Sequence, residues 1–384
     1  MQQQLIAKTL QGLEQVLANE LYALGATDVQ ILKRAVAFSG DKALLYAANI
    51  HLRTAIKILK PIISFEANNE TELYDKVSAI DWTEIMELEN TFSIDNTIYS
   101  TIFTHSNYPA LKMKDAIVDQ FRNKFGSRPD VNKEEPDYRF NLRINENEVS
   151  ISMDSSGESL HKRGYKTEQH AAPISESLAA GLIYLSGWDI NSTLYDPMCG
   201  SGTLVIESAL LANNIAPGLI RKHFGFQKWK DYDASLFRQL MVQAASEIKT
   251  NKTNFFGSDI SNLNIKMADR NAFNAIPENK IKFFTRSFED VEPPTPKGML
   301  ILNPPYGERL QQEKIVEFYQ MIGNVLKRKY AGWTAWVFSS NLEAAKYIGL
   351  KPSQKIKLKN GPLECVFMKF EIREGKFFKN PKQE

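Results

Sequence analysis

Cysteine is almost missing. Cys199 and Cys365 are the only 2 in 384 residues, too few for a disulfide framework or a four-ligand zinc site, so a reducing, cytoplasmic setting is expected. Histidine is scarce too: His51, His105, His161, His170 and His223 fall in no HExxH or Cys/His spacing, and no metal centre is expected. Long apolar runs are lacking. The longest candidate, 178–185 with its flanks, falls short of the roughly 20 residues of a membrane helix, and the opening MQQQLIAK is not a signal peptide. No large charge excess exists either: Lys plus Arg is 47 against 45 for Asp plus Glu, a net +2, which neither demands nor excludes a polyanionic partner. No coiled-coil pattern indicates an oligomer.

What is present describes a globular chain. With 43% hydrophobic and 24% charged residues it can bury full cores, and at roughly 100–200 residues per domain its length suggests two or three domains. Gly12, Leu13, Val16, Leu17, Leu21 and Leu24 recur at helical spacing, Gly25 ends the pattern, and a strand is predicted over 29–38. Residues 1–55 thus read as a small α+β module. A second spans 56–155, with strand-like 97–104, a helix over 110–124 and the alternating run 139–153. Asp154, Ser155, Ser156 and Gly157 then make a turn, and 156–384 changes character. Strand candidates at 193–195, 254–257, 281–284, 298–302, 334–339 and 365–372 alternate with helical stretches, which predicts an α/β domain with a parallel sheet.

The first strand of that domain runs into Asp196-Pro197-Met198-Cys199-Gly200-Ser201-Gly202-Thr203 and an apolar helix over 204–212. Gly200 and Gly202 permit positive φ and close approach to a ligand, and Asp196 at the strand's end can face an ammonium group. A dinucleotide fingerprint would want Gly where Val205 stands, and a phosphate loop would want Gly-Lys-Ser/Thr; both are absent. A zwitterionic amino-acid cofactor fits, as does a plain glycine turn when this loop is taken alone. Further on, an apolar strand ends in Gly257-Ser258-Asp259. Asp259 is placed to bind ribose hydroxyls, or equally to cap the helix over 262–272.

A later strand, 298–302, delivers Asn303-Pro304-Pro305-Tyr306-Gly307. The side-chain carbonyl of Asn303 and the backbone carbonyl of Pro304 offer two acceptors for the two hydrogens of a planar exocyclic amine. Prolines fix their direction at little entropic cost, and Tyr306 can stack on the heterocycle. Chemistry here would come from positioning and electrostatics. Methylation of a pyrimidine carbon would need a cysteine nucleophile, and the loop has none.

Taken together, DPMCGSGT, GSDIS and NPPYGERL resemble the class I S-adenosylmethionine-dependent methyltransferases that act on exocyclic amines, most closely the THUMP-domain guanine 2-amino methyltransferases of RNA. The likeness covers nearly the whole chain. Residues 108–119 resemble the family's THUMP segment. His161-Lys162-Arg163-Gly164-Tyr165 with Ala172-Pro173-Ile174-Ser175-Glu176 resemble its lead-in to the catalytic domain, and 216–229 its insertion after the first helix.

This resemblance implies a ferredoxin-like module (1–55), a THUMP RNA-binding domain (56–155) and a Rossmann-like methyltransferase domain (156–384). S-adenosyl-L-methionine would be held by Asp196, Pro197, Cys199, Gly200, Gly202, Thr203, Asp259 and Asn303. Asn303, Pro304, Pro305 and Tyr306 would carry catalysis. The members built like the catalytic module of the large-subunit rRNA enzyme imply a guanine of 23S rRNA as target, near relatives tRNA. Where the family often contacts the adenine amine with Asp, this chain has Ser287.

Lys33, Arg34, Lys112, Lys114, Arg122, Lys124 and Arg128 offer an amino-terminal clamp for RNA, and the lysine-rich stretch from Lys351 to Lys382 could touch phosphates. The same Asn-Pro-Pro-Tyr geometry would serve an amine of DNA adenine or cytosine, or of a protein glutamine. A binding or assembly factor with a vestigial cofactor site is the rival outside enzymes.

Overall fold

A computed structural model of the chain describes residues 2–105, 107–166, 174–278, 280–305 and 312–373, without the side chains of Gln312 and Glu313. Two compact units emerge. The first comprises Met1–Thr9, Leu17–Leu160 and Arg221–Gln243, the second Leu10–Val16, His161–Ile220 and Ala244–Glu384.

The first unit contains β1 (Gln3–Thr9), most of α1 (Glu14–Ala23), β2 (Thr27–Leu32), β3 (Ala35–Gly40), α2 (Lys42–His51) and the 12-residue β4 (Ala55–Glu66). It continues with α3 (Glu70–Ser78), α4 (Trp82–Ile85), β5 (Phe92–Tyr99), α5 (Tyr108–Phe125), β6 (Tyr138–Asn145) and β7 (Glu148–Asp154). One seven-stranded sheet, ordered β2-β3-β1-β4-β7-β6-β5, unites them. Its pairs are antiparallel except β5 with β6. β4 is the shared strand, pairing with β1 through Ala55–Leu59 and with β7 through Leu59–Glu66, so the two α+β modules expected from sequence share one sheet.

The predicted strand over 29–38 is a hairpin instead. The chain turns at Lys33 and Arg34, where Arg34 takes φ +57°, and β2 pairs back on β3. The stretch 97–104 ends as a strand at Tyr99, and 139–153 is likewise two strands. In β6, Tyr138, Phe140, Leu142 and Ile144 are buried while the residues between them are half-buried or exposed, the period-2 signature of a sheet with one covered face.

Residues 221–243 follow second-unit elements in sequence yet pack within the first unit. Phe226 stacks on Tyr46 with ring centroids 4.2 Å apart, and Phe237 meets Phe226 edge-on at 5.4 Å. The Tyr46 hydroxyl accepts from the Asp233 N–H (3.0 Å), and the Tyr138 hydroxyl from the Lys230 N–H (2.9 Å).

The second unit holds α6 (Glu176–Ser186), β8 (Leu194–Asp196), α7 (Thr203–Ala212) and the last turn of α8 (Ala234–Ser246). After these come β9 (Phe255–Asp259), α9 (Asn262–Ala275), β10 (Ile281–Thr285), β11 (Met299–Leu302), α10 (Gln312–Lys329), β12 (Thr334–Ser339), α11 (Leu342–Ala345), β13 (Gln354–Asn360) and β14 (Leu363–Glu371). Sheet order is β10-β9-β8-β11-β12-β14-β13. β10 through β12 are parallel, as predicted. The end of the sheet departs from the prediction: β14 runs antiparallel to β12 and pairs with β13 in a hairpin turning at Gly361 (φ +59°). A turn this short can join only antiparallel strands. Lys355 and Lys357 are exposed along β13, the charged edge that discourages further strand pairing.

Successive residues of β11 enter different cores. Ile301 joins Leu178, Leu182, Leu204, Val205, Trp336 and Phe367. Leu300 and Leu302 join Tyr319, Ile322, Leu326, Tyr330 and Val337. Both faces are thus covered, and only the strand ends remain for chemistry. Among the described residues no helix is long and apolar enough to cross a membrane.

Candidate active site

The sheet order reverses between β8 and β11. From β8 the chain proceeds outward through β9 and β10, and from β11 in the other direction through β12. Such a switch point opens a crevice beyond the carboxyl ends of the strands. Neighbouring strands lie about 4.8 Å apart, and here Met299 and Leu300 pair with Leu194 and Tyr195. Asp196, closing β8, and Asn303, following β11, are therefore delivered to the same end of adjacent parallel strands.

The loop after β8 is fixed by backbone bonds. Met198 N–H donates to Asp196 Oδ1 (3.0 Å), Cys199 N–H to the Ser258 carbonyl (2.9 Å) and Gly202 N–H to the Cys199 carbonyl (2.8 Å). Gly200 has φ +53° and Gly202 φ +83°, a region that costs L-residues strain. Their surroundings differ. A Cβ on Gly202 would sit 3.0 Å from Ala268 Cβ and 3.1 Å from Phe283 Cζ, whereas one on Gly200 would meet nothing within 4 Å. Gly202 serves packing, and Gly200 leaves its backbone open to a ligand. α7 starts at Thr203 with Gly202 as its cap; Pro197, Cys199 and Thr203 are buried around the turn.

Asp196 is 1% exposed. Burial, reinforced by the charge of Asp259, pushes its carboxyl up to about 8. Oδ1 accepts from Met198, and no protein donor to Oδ2 is present among the described residues. A buried carboxylate with spare acceptor capacity suits a cationic partner. Cys199 is held as a neutral thiol by burial and by the same carboxylates, which argues against a nucleophilic role.

Asp259 does not cap α9; Ser261 does, accepting from Asn264 N–H. Instead Asp259 Oδ2 accepts from Gly200 N–H (3.0 Å), and Oδ1 from Ser261 N–H (2.8 Å) and Asn264 Nδ2 (3.0 Å). The second strand-end acid thereby clasps the glycine loop of the first. Sequence reasoning did not anticipate this clasp, nor Asn271, a buried α9 side chain whose Nδ2 donates to the Ser201 carbonyl (3.1 Å). Ile260, directly after Asp259, is 78% exposed, an apolar side chain facing solvent that sequence reasoning did not single out.

Asn303 is half-buried, Pro304 buried and Pro305 exposed; Tyr306 lies outside the described residues. Ser287, at the position resembling an adenine-contacting Asp, caps a short 3-10 turn by accepting from Glu289 N–H (3.4 Å). Among the described residues no group of three His, Cys, Asp or Glu is arranged to hold a metal ion.

Residues around this site match a known family model. The RMKL-like methyltransferase domain covers residues 163–369. The chain belongs to that family. The THUMP domain matches 67–154 and the RlmL ferredoxin-like domain 4–59. A candidate RNA methyltransferase of Synechocystis sp., slr0064, is 42% identical over 95% of this chain and 96% of its own. SMU.472, a candidate methyltransferase crystallised with SAH, superposes with a TM-score of 0.87 at 29% identity, over 98% of this chain and 99% of that one. A chain from Listeria monocytogenes named as a predicted N6-adenine-specific DNA methylase gives 0.86 at 29% identity, over 97% of both. The expected architecture, a Rossmann-like methyltransferase domain with ferredoxin-like and THUMP modules, is the one found.

Of the amino-terminal cations, several meet local partners. Lys114 pairs with Asp115 (2.7 Å) and Arg122 with Asp119 (3.2 Å). Lys124 donates to Thr83 Oγ1 (2.5 Å), and Lys112 lies 5.4 Å from the centroid of the Tyr108 ring.

Proposed function

We propose that this RMKL-like methyltransferase transfers a methyl group to the exocyclic 2-amino group of a guanine in RNA, with 23S rRNA the substrate expected first and the cytoplasm its setting. The observation that carries the reading is the delivery of Asp196 and Asn303 to one crevice by adjacent parallel strands. RNA as the polymer rests on the THUMP match and on the slr0064 relative. Guanine and 23S rRNA rest on the resemblance of the NPPYGERL motif and its upstream modules.

The crevice fits S-adenosylmethionine. Its buried acid has spare acceptor capacity for an ammonium group, and the open approach at Gly200 leaves room for the methionine moiety. Asp259 retains lone pairs for ribose hydroxyls beside its loop bonds, and Ile260 offers an apolar rest for the adenine. S-adenosylmethionine supplies, when bound, an electrophilic methyl group on a cationic sulfonium.

The protein's part is positioning. Asn303 Oδ1 and the Pro304 carbonyl accept the two amine hydrogens, turn the nitrogen lone pair out of conjugation with the ring and aim it along the transfer line. Tyr306 stacks on the base. As the N–CH3 bond forms, the S–CH3 bond of the sulfonium would break to leave a neutral thioether, and the positively charged nitrogen would then lose one proton to water. A paired base cannot reach such a crevice, so the target is single-stranded or flipped, at a cost of a few kcal/mol.

The test is incubation with labelled S-adenosylmethionine and, separately, unmodified 23S rRNA, 16S rRNA, bulk tRNA and adenine-containing DNA, followed by nucleoside mass spectrometry. N2-methylguanosine from 23S rRNA is the expected product. The same nucleoside only in tRNA would move the substrate and keep the chemistry, and N6-methyladenine in DNA would overturn the reading.

A further inference from the structure

Away from the methyl-transfer crevice, the first unit carries an open concavity of about 590 Å³ where β5 leads into α5, lined by His105, Asn107, Tyr108 and Leu111. That volume is in the range of small-molecule clefts. Tyr108 is 43% and Leu111 51% exposed, so a ring and an aliphatic side chain face solvent together. Single exposed apolar residues mean little, but these two share one hollow with polar neighbours.

The polar groups are of a recognising kind. Asn107 precedes α5 without using its side chain as a cap, so its amide can offer both a donor and an acceptor. Lys112 lies over the Tyr108 ring, and among the described residues no carboxylate pairs with it. The two acids of the same helix are already engaged: Asp115 by Lys114 (2.7 Å) and Asp119 by Arg122 (3.2 Å). The hollow therefore offers a π-face, an aliphatic wall and an unspent amide, with the Lys112 cation over the ring that lines it. Unpaired bases are bound by this combination: stacking supplies affinity, an amide reads an edge and a cation meets the phosphate. An acidic peptide would use the cation but not the flat ring and wall, and a hydrophobic helix would leave Asn107 and Lys112 unsatisfied.

We infer that an unstacked nucleobase of a single-stranded RNA segment seats in this concavity against Tyr108, with its phosphate toward Lys112. The inference rests on the proposal that the substrate is RNA, and it assigns to the first unit a second grip on the strand whose guanine is methylated elsewhere.

Binding of the full-length protein to a fluorescent single-stranded RNA, and to the same sequence as a duplex, tests it with Tyr108→Ala, Tyr108→Phe and Leu111→Ala, each checked for native helicity. Tyr108→Ala should weaken single-strand binding about tenfold, the size of one lost base–aromatic stack. Tyr108→Phe, which keeps the ring, should stay within about twofold, and Leu111→Ala should fall between. Duplex affinity should not move. In methyl transfer the KM for RNA should rise with the same factor while kcat at saturating RNA holds. Unchanged single-strand affinity in Tyr108→Ala, or equal losses for single strand and duplex, would overturn the inference while leaving RNA methylation intact. A wild-type protein that methylates DNA or protein but no RNA would overturn both.

Discussion

β11 of the second unit and β6 of the first use their surfaces in opposite ways. β11 is buried on both faces, with Ile301 in one core and Leu300 and Leu302 in the other, so the polar residues that follow it lie at the strand end. In the first unit β6 buries alternate residues only, which leaves side chains such as Arg143 and Asn145 in the open. A doubly covered strand concentrates function at its end, whereas a singly covered strand spreads it along a surface. Loss of one strand-end residue should therefore be severe, and loss of one surface residue graded.

The sharpest break in that contrast is Asn303→Ala. It should still bind cofactor and lose kcat by about 10²- to 10³-fold, the usual effect of removing one preorganised polar group from a transition state. Isothermal titration beside single-turnover kinetics separates the two quantities, and unaltered turnover would remove Asn303 from the mechanism.

Asp196→Asn comes next, with cofactor affinity falling about 10- to 100-fold through loss of a charge-assisted hydrogen bond. Its companion is pH dependence. The Asp196 carboxyl is raised to about 8 by burial, so the folded protein holds a proton there that the unfolded chain releases near the ordinary carboxylate range. Stability from this group is present at low pH and declines as pH rises from about 4 to about 8. Binding of an ammonium to the carboxylate expels that proton. Affinity should then rise about tenfold per pH unit up to about 8 and level off, and in Asp196→Asn the slope should vanish. A flat wild-type profile between pH 6 and 8 would contradict the assignment.

A smaller effect sharpens the contrast inside the glycine loop. Gly202→Ala combines positive φ with a crowded Cβ and should cost about 1–3 kcal/mol in urea unfolding. Gly200→Ala carries the backbone strain alone, about 1 kcal/mol, yet should impair cofactor binding more because its Cβ enters the open approach. Ile260→Ala is the mildest, a few-fold loss of cofactor affinity from roughly 1 kcal/mol of apolar contact, with no change in melting temperature.

Much of the second unit could be read along the chain because its signals are local: an apolar strand, then Asp196 or Asn303, then a glycine or proline turn. The clasp from Gly200 N–H to Asp259 could not, since 59 residues separate the partners and an acid before a helix reads equally well as a cap. The β13–β14 hairpin was obscured by its lysines, which in sequence look like a phosphate-binding tail and in the fold blunt a sheet edge. The aromatics of 221–243 were visible, but Tyr46, the ring that gathers them, lies 180 residues away from Phe226.

That excursion of 221–243 bears on how the protein can be cut. The backbone passes from first unit to second and back more than once, so no single scission yields two intact pieces. An amino-terminal fragment ending at residue 160 would lack Phe224, Phe226 and Phe237 and would bare Tyr46, while the complementary fragment would carry those rings with nothing to receive them. Gene fusions or chimaeras that exchange the methyl-transfer unit between relatives should retain solubility only when 221–243 travels with the amino-terminal half it completes.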